Sequence, residues 1–232
     1  MSDLALLAQA DLLLLACDLL RRPSEALKAS LPAPAAVGEL IAASTLPEPR
    51  GLADTLAAAL DQAAQTPLEA WSDEFHRLFE GAMACPPNQT AYIRRDKGAI
   101  LADLRGFYEA FGFAPRRDTG EKPDHILFEL EFLAMALVML AGASRAGDQE
   151  KRSVTIDAMR KFSESHLGDW IESFAQQLAG ATGLPLYVAV AMLLGQLWRG
   201  LSAAHSLHRA ADARPADASP GAPDWSCPAD ER

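Results

Sequence analysis

The stretch 123–142, "PDHILFELEFLAMALVMLAG", constrains the fold more than any other part of the chain. On a helix advancing about 100° per residue, Ile126, Leu130, Leu133 and Leu137 share one face, and Phe128, Phe132, Met135 and Met139 lie roughly opposite. Leu127, Ala134 and Val138 fill much of the gap. A helix apolar around so much of its circumference must pack on more than one side, so it is expected at the centre of the fold. Glu129 and Glu131 are the exceptions, both near its beginning. The first turn is therefore where this element is expected to reach solvent.

Pro123 suits the first helical position, where its missing N–H would have no intrahelical partner. Asp124 then sits at the positive end of the helix dipole, an arrangement worth about 0.3–1 kcal/mol. His125 is pulled both ways: the dipole disfavours its charged form, whereas Asp124 and Glu129 favour it. Two readings stay open for this corner, a brace that caps the turn or a recognition site. The Phe/Met stripe likewise reads either as core or as an adaptable groove for an apolar peptide.

Composition agrees with a helical chain. Of 232 residues, 50% are hydrophobic and only 7% aromatic, with Ala and Leu dominant and β-branched residues sparse. The expectation is an all-α, single-domain helical bundle over residues 1–210, followed by a disordered Pro-, Ala- and Asp-rich tail over 211–232. Helices are predicted at 3–21, 51–65, from Pro67 through 81, 96–111, 123–142, 149–164, 167–181 and 185–208. Between them lie a Pro/Ala-rich stretch at 31–50 holding a helical turn or two, a proline loop at 82–95, and polar connectors at 114–123 and 142–149.

The charge balance, 21 basic against 31 acidic residues for a net −10, repels nucleic acid and anionic lipid and attracts basic peptides. Cys17, Cys85 and Cys227 are odd in number and far apart, which builds no disulfide framework. The N-terminal apolar run lacks a basic leader and is interrupted by Asp3, Asp11 and Asp18; the apolar run at 184–198 is short for a bilayer. Both read as buried soluble helices, so a cytoplasmic location is expected. No nucleophile motif or phosphate-binding glycine loop accompanies Asp124-His125, so no catalytic residue is expected. His76, His166, His205 and His208 lack an obvious third ligand and read as packed or solvated side chains, with no metal.

Four blocks in order give the chain a resemblance. "FHRLFEGAMACPPNQTAY" resembles the first signature of the TorD/DmsD family of redox-enzyme maturation chaperones, "FYEAFGF" the second, and "EKPDHILFELEFLAMAL" the third, whose Pro-Asp-His core is the most diagnostic. "HLGDWIESFAQQL" is similar to the block that follows, and Met83 departs from relatives that carry a tryptophan there. The resemblance implies an all-helical cytoplasmic chaperone without turnover. It would bind a molybdoenzyme precursor, often at its twin-arginine signal peptide, until the molybdenum cofactor is inserted. Its client cleft would be built on Asp124 and His125, shaped by Leu78, Phe79, Gly81, Pro86 and Pro87 and joined by Tyr108, Phe111 and Gly112. Five acids between Asp118 and Glu131, beside the Phe/Met stripe, suit a basic segment followed by an apolar one, which adds Glu121, Pro123, Phe128 and Glu129 to the expected site. By resemblance alone, the chaperone is a monomer or exchanged dimer with no cofactor beyond weak guanine nucleotide binding. A chaperone of the same fold serving a membrane-bound nitrate-reductase-like enzyme is the alternative.

Overall fold

The structure, a computed structural model, describes residues 1–114 and 122–207. Glu121 and the expected tail over 211–232 lie outside the described residues, as does His208. Ten α-helices are present among the described residues: α1 (Asp3–Leu20), α2 (Glu25–Ser30), α3 (Val37–Ser44), α4 (Pro49–Gln65), α5 (Leu68–Phe79), α6 (Lys97–Ala110), α7 (Ile126–Ala146), α8 (Gln149–Ser165), α9 (Leu167–Ala181) and α10 (Pro185–His205). The only β pairing among them is an isolated antiparallel bridge between Asn88 and His125. The short α2 was not anticipated; Ser24 starts it by accepting the Leu27 N–H on its side chain.

As its pattern predicts, α7 is central. It packs most extensively along α1 and is flanked by α8 and α9, while α10 lies against α4 and α9 and also touches α1. One contiguous apolar core runs from Leu6 to Leu207. Inside it the Trp71 indole N–H donates to the Tyr187 hydroxyl at 3.0 Å, tying α5 to α10 without leaving either polar atom stranded. Both α7 and α10 are 21 residues long and apolar enough to cross a membrane by length and composition. Their most apolar windows are nevertheless 67% and 61% buried within the fold, as befits core helices.

The boundaries of α7 differ from expectation at both ends. It starts at Ile126, not Pro123, because residues 123–125 pair with the proline loop instead of entering the helix. It passes through Gly142 and continues to Ala146, where the Gly147 and Asp148 amides close back on the last turn. Gly142 touches nothing that a methyl group would displace.

Gly168 is the opposite case. A Cβ there would sit 2.5 Å from the Ser163 carbonyl oxygen and 2.7 Å from the Trp198 ring, so the α8–α9 corner closes only around glycine. Gly168→Ala is expected to destabilise the protein by about 1–3 kcal/mol through overpacking. Gly142→Ala should stabilise it by about 0.5–1 kcal/mol through helix propensity. Urea denaturation of the two variants checks the opposite signs; a shared sign would contradict the packing described here.

Candidate functional site

The loop between α5 and α6 and the residues entering α7 form one hydrogen-bonded corner. Pro86 and Pro87 carry no N–H, so this stretch of loop offers acceptors without donors. The start of α7 supplies the reverse, since its first four amides lack intrahelical partners. All four find one here. Counting from the capping residue, His125 N–H donates to the Lys122 carbonyl at 3.1 Å, Ile126 N–H to the Pro87 carbonyl at 2.8 Å, Leu127 N–H to His125 Nδ1 at 3.2 Å, and Phe128 N–H to the His125 carbonyl at 3.0 Å. In return the Gln89 amide donates to the Asp124 carbonyl at 2.9 Å, and the Tyr108 hydroxyl to the Pro123 carbonyl at 2.9 Å.

Asp124 is the hub. Its Oδ1 accepts from Asn88 Nδ2 at 3.1 Å, and its Oδ2 accepts from the Thr90 amide at 3.1 Å and the Thr90 hydroxyl at 2.7 Å. The network continues to the α8–α9 junction, where Gln89 Nε2 donates to the Ser165 carbonyl and Gln89 Oε1 faces His166 Nδ1 at 3.1 Å. His166 Nε2 then lies 3.1 Å from Asp103 Oδ2 on α6. One turn into α7, Glu129 Oε2 accepts the Trp170 indole N–H at 3.0 Å, while Glu129 Oε1 has no partner among the described residues.

Burial sets the charges. The Glu129 carboxyl, fully enclosed, is pushed well above the usual glutamate range by desolvation, which the Trp170 hydrogen bond only partly offsets. His125 is lowered to about 4 by desolvation, against the pull of Asp124, and its neutral Nδ1 is the acceptor that caps α7. Tyr108 is held neutral chiefly by burial, with the Asp124 carboxylate pushing the same way.

This geometry corrects the expected open tip. Asp124 and Glu129 are 0% exposed and His125 is 7% exposed, because the loop folds over the first turn of α7. Pro123 is half-buried and precedes the helix. The Phe/Met stripe is largely core: Phe128 and Phe132 are buried, and Phe132 meets the rings of Phe107, Tyr108, Phe111, Phe113 and Phe162. Glu131, rather than reaching out from the corner, pairs with Arg21 on α1. Leu78 and Phe79 are also core; Phe79 stacks on Phe174, which in turn meets Trp170. Gly81 and the half-buried Pro86 shape the loop, while Gly112, at φ +66°, makes the turn that lets the Phe113 amide donate to the Tyr108 carbonyl. Among the histidines weighed as metal ligands, His76 pairs with Glu80 and His205 Nε2 contacts Gln9 Oε1 at 2.7 Å.

Residues 45–176, more than half of the chain and the whole of this corner, match the sequence profile described as nitrate reductase delta subunit. The chain belongs to the nitrate reductase delta subunit family. Within it, the chain is 39% identical over 85 residues to the chlorate reductase assembly chaperone protein of Ideonella dechloratans, covering 36% of this chain and 42% of that relative. It is 32% identical over 92 residues to the chaperone protein TorD of Photobacterium profundum (40% and 41%), and 33% identical over 101 residues to the selenate reductase assembly chaperone protein of Thauera selenatis (44% and 50%). The matches span half or less of the length of these curated relatives. A solved structure from Archaeoglobus fulgidus, assigned provisionally to redox enzyme maturation, shares the fold at a TM-score of 0.51 and 19% identity, over 82% of this chain and 93% of its own.

For a chain of the delta subunit family, the residues the sequence reading missed are the partners, not the hub. Asn88, Gln89 and Thr90 directly follow the two prolines, a polar trio that could have been flagged as donors to a nearby carboxylate. His166 and Trp170 stand in the fourth block, but nothing in the sequence tells which acids they meet.

Asp124→Ala is expected to cost about 3 kcal/mol, since it strands buried donors of Asn88 and Thr90, with Asp124→Asn costing about half as much. Urea titration and the loss of amide-exchange protection at Thr90 check this. His125 carries a pH consequence. The unfolded ring takes up a proton near pH 6.5, whereas the folded ring resists until about 4, so stability present above pH 6.5 is lost as pH falls through that window. His125→Asn keeps a capping side chain and removes this titration. Its stability is expected to fall less steeply between pH 6.5 and 4, by up to about 1 kcal/mol per pH unit, in denaturation series at fixed salt.

Proposed function

We propose that the protein is a cytoplasmic maturation chaperone for a molybdopterin-containing oxidoreductase. It binds the catalytic subunit's precursor, through a twin-arginine signal peptide, and keeps it competent for cofactor insertion before export. One observation carries the reading: four separate sequence blocks converge on a single hydrogen-bonded corner in a chain similar to proteins named as chlorate and selenate reductase assembly chaperones. The chemistry of the corner fits a non-enzyme. Its acids and histidines are committed to loop and helix amides or held neutral by burial, and the reading assigns them to support of the client surface.

The family description favours a second reading, in which the same fold serves a membrane-bound nitrate-reductase-like enzyme without a cleaved export signal. The two differ in what part of the client is held.

Affinity capture from the native host with the full chain as bait, followed by mass spectrometry, is expected to recover a molybdopterin-binding catalytic subunit. Recovery of no reductase subunit sinks the proposal. Deleting the client's N-terminal segment should abolish capture under the first reading and leave it intact under the second.

A further inference from the structure

We infer that the cleft between α6 and α8 is a docking site for a polypeptide segment that presents an arginine beside apolar side chains, the guanidinium meeting Asp103. The inference rests on the reading of the protein as a client-binding chaperone and places that contact away from the buried Asp124 corner.

The cleft has a volume of about 460 Å³. Phe107 and Phe111 of α6 and Ala158 of α8 form its apolar lining, and Val154, 55% exposed, extends it toward solvent. Two carboxylates stand on its rim, Asp103 on α6 and Asp157 on α8, with side chains 59% and 61% exposed. One ammonium, Lys161, stands with them, so the rim is net negative among the described residues. Among the described residues Asp157 has a single long contact, with Arg160 at 3.9 Å. An apolar slot bordered by accessible carboxylates is complementary to a cation carried next to apolar groups.

Asp103 decides the chemistry. Its contact among the described residues is His166 Nε2. Gln89 is oriented by its Nε2–H donated to the Ser165 carbonyl, so its Oε1 faces His166 Nδ1 and requires the ring proton there. A neutral His166 then turns a bare Nε2 lone pair toward the Asp103 carboxylate. Burial lowers His166 to about 4 against the opposing pull of Asp103, with Arg95 adding a smaller push in the lowering direction, so the neutral ring is favoured at pH 7. In this tautomer the carboxylate lacks a donor among the described residues, and an incoming guanidinium supplies one. Arginine suits this better than lysine because its planar fork can serve both carboxylate oxygens while its stem lies on the Phe107 and Phe111 rings.

The test uses the full chain and two dye-labelled, end-blocked synthetic peptides, one carrying an arginine within a Leu/Phe run and a twin with glutamine in its place. Fluorescence anisotropy is expected to show the arginine peptide binding roughly fivefold tighter than its twin. Asp103→Asn should erase that preference, and Val154→Arg, at an exposed position, should weaken the arginine peptide selectively. Binding that both variants leave unchanged, or a wild-type protein that binds neither peptide, overturns the inference. Client capture in parallel separates the two levels. If Val154→Arg still captures a reductase subunit as wild type does, the cleft is not the seat and the chaperone reading stands. If wild type captures none, both fall.

Discussion

A carboxylate with no exposed surface has to be satisfied entirely by protein donors, and in this fold Asp124 meets that requirement with the loop that covers it. The dependence is mutual. The double proline leaves the loop short of donors and rich in acceptors, and the start of α7 has the opposite surplus. Bringing them together satisfies the first amides of a long, strongly apolar helix, which otherwise could not be buried at its N-terminus. The negative group also sits where the helix dipole favours it. Packing of α8 and α9 follows, because Gln89 carries the same loop to the Ser165 carbonyl and the His166 ring.

Much of this was legible in the sequence. The periodicity of 126–140 placed α7 at the centre, and the residue types around Pro67, Asp96 and Gly112 marked helix ends close to those observed. The corner was located correctly but turned inside out. Two acids and a histidine at a helix start read as a wet tip because local rules see only the dipole and the neighbouring turns. What seals the tip is the 86–92 loop, about 35 residues earlier in the chain, and such a pairing leaves no periodic trace. Pro123 misled for the same reason. It suits a first helical turn locally, yet the bridge between Asn88 and His125 draws residues 123–125 into an extended pairing. Gly142 misled in the other direction, since an exposed glycine inside a well-packed helix costs less than ending that helix early.

The burial changes what the signature residues can be doing. Glu129, fully enclosed and with its carboxyl pushed well above the usual glutamate range by desolvation, presents no surface to a partner, and Asp124 has both oxygens occupied. A family pattern at these positions is therefore explained by architecture before recognition is invoked. Leu78, Phe79, Tyr108 and Phe128 follow the same logic: each is buried against the corner or against the aromatic cluster around Phe132 and Phe174. Charge accessible to another chain lies elsewhere on the surface, Asp103 of α6 and Asp157 of α8 included.

Corner and cleft are nonetheless one connected object. From Asp124 the hydrogen bonds pass through Gln89 to His166, and the far nitrogen of that ring faces the carboxylate on the cleft rim. The ring faces two acceptors, Gln89 Oε1 and Asp103 Oδ2, and when neutral carries one proton, so it can donate to Gln89 or Asp103 but not both. Whatever settles the charge at Asp103 also settles which neighbour His166 serves, and with it the orientation of the Gln89 amide that holds the loop. A loop that looks purely structural is by this route connected, through Gln89 and His166, to an exposed carboxylate on the surface.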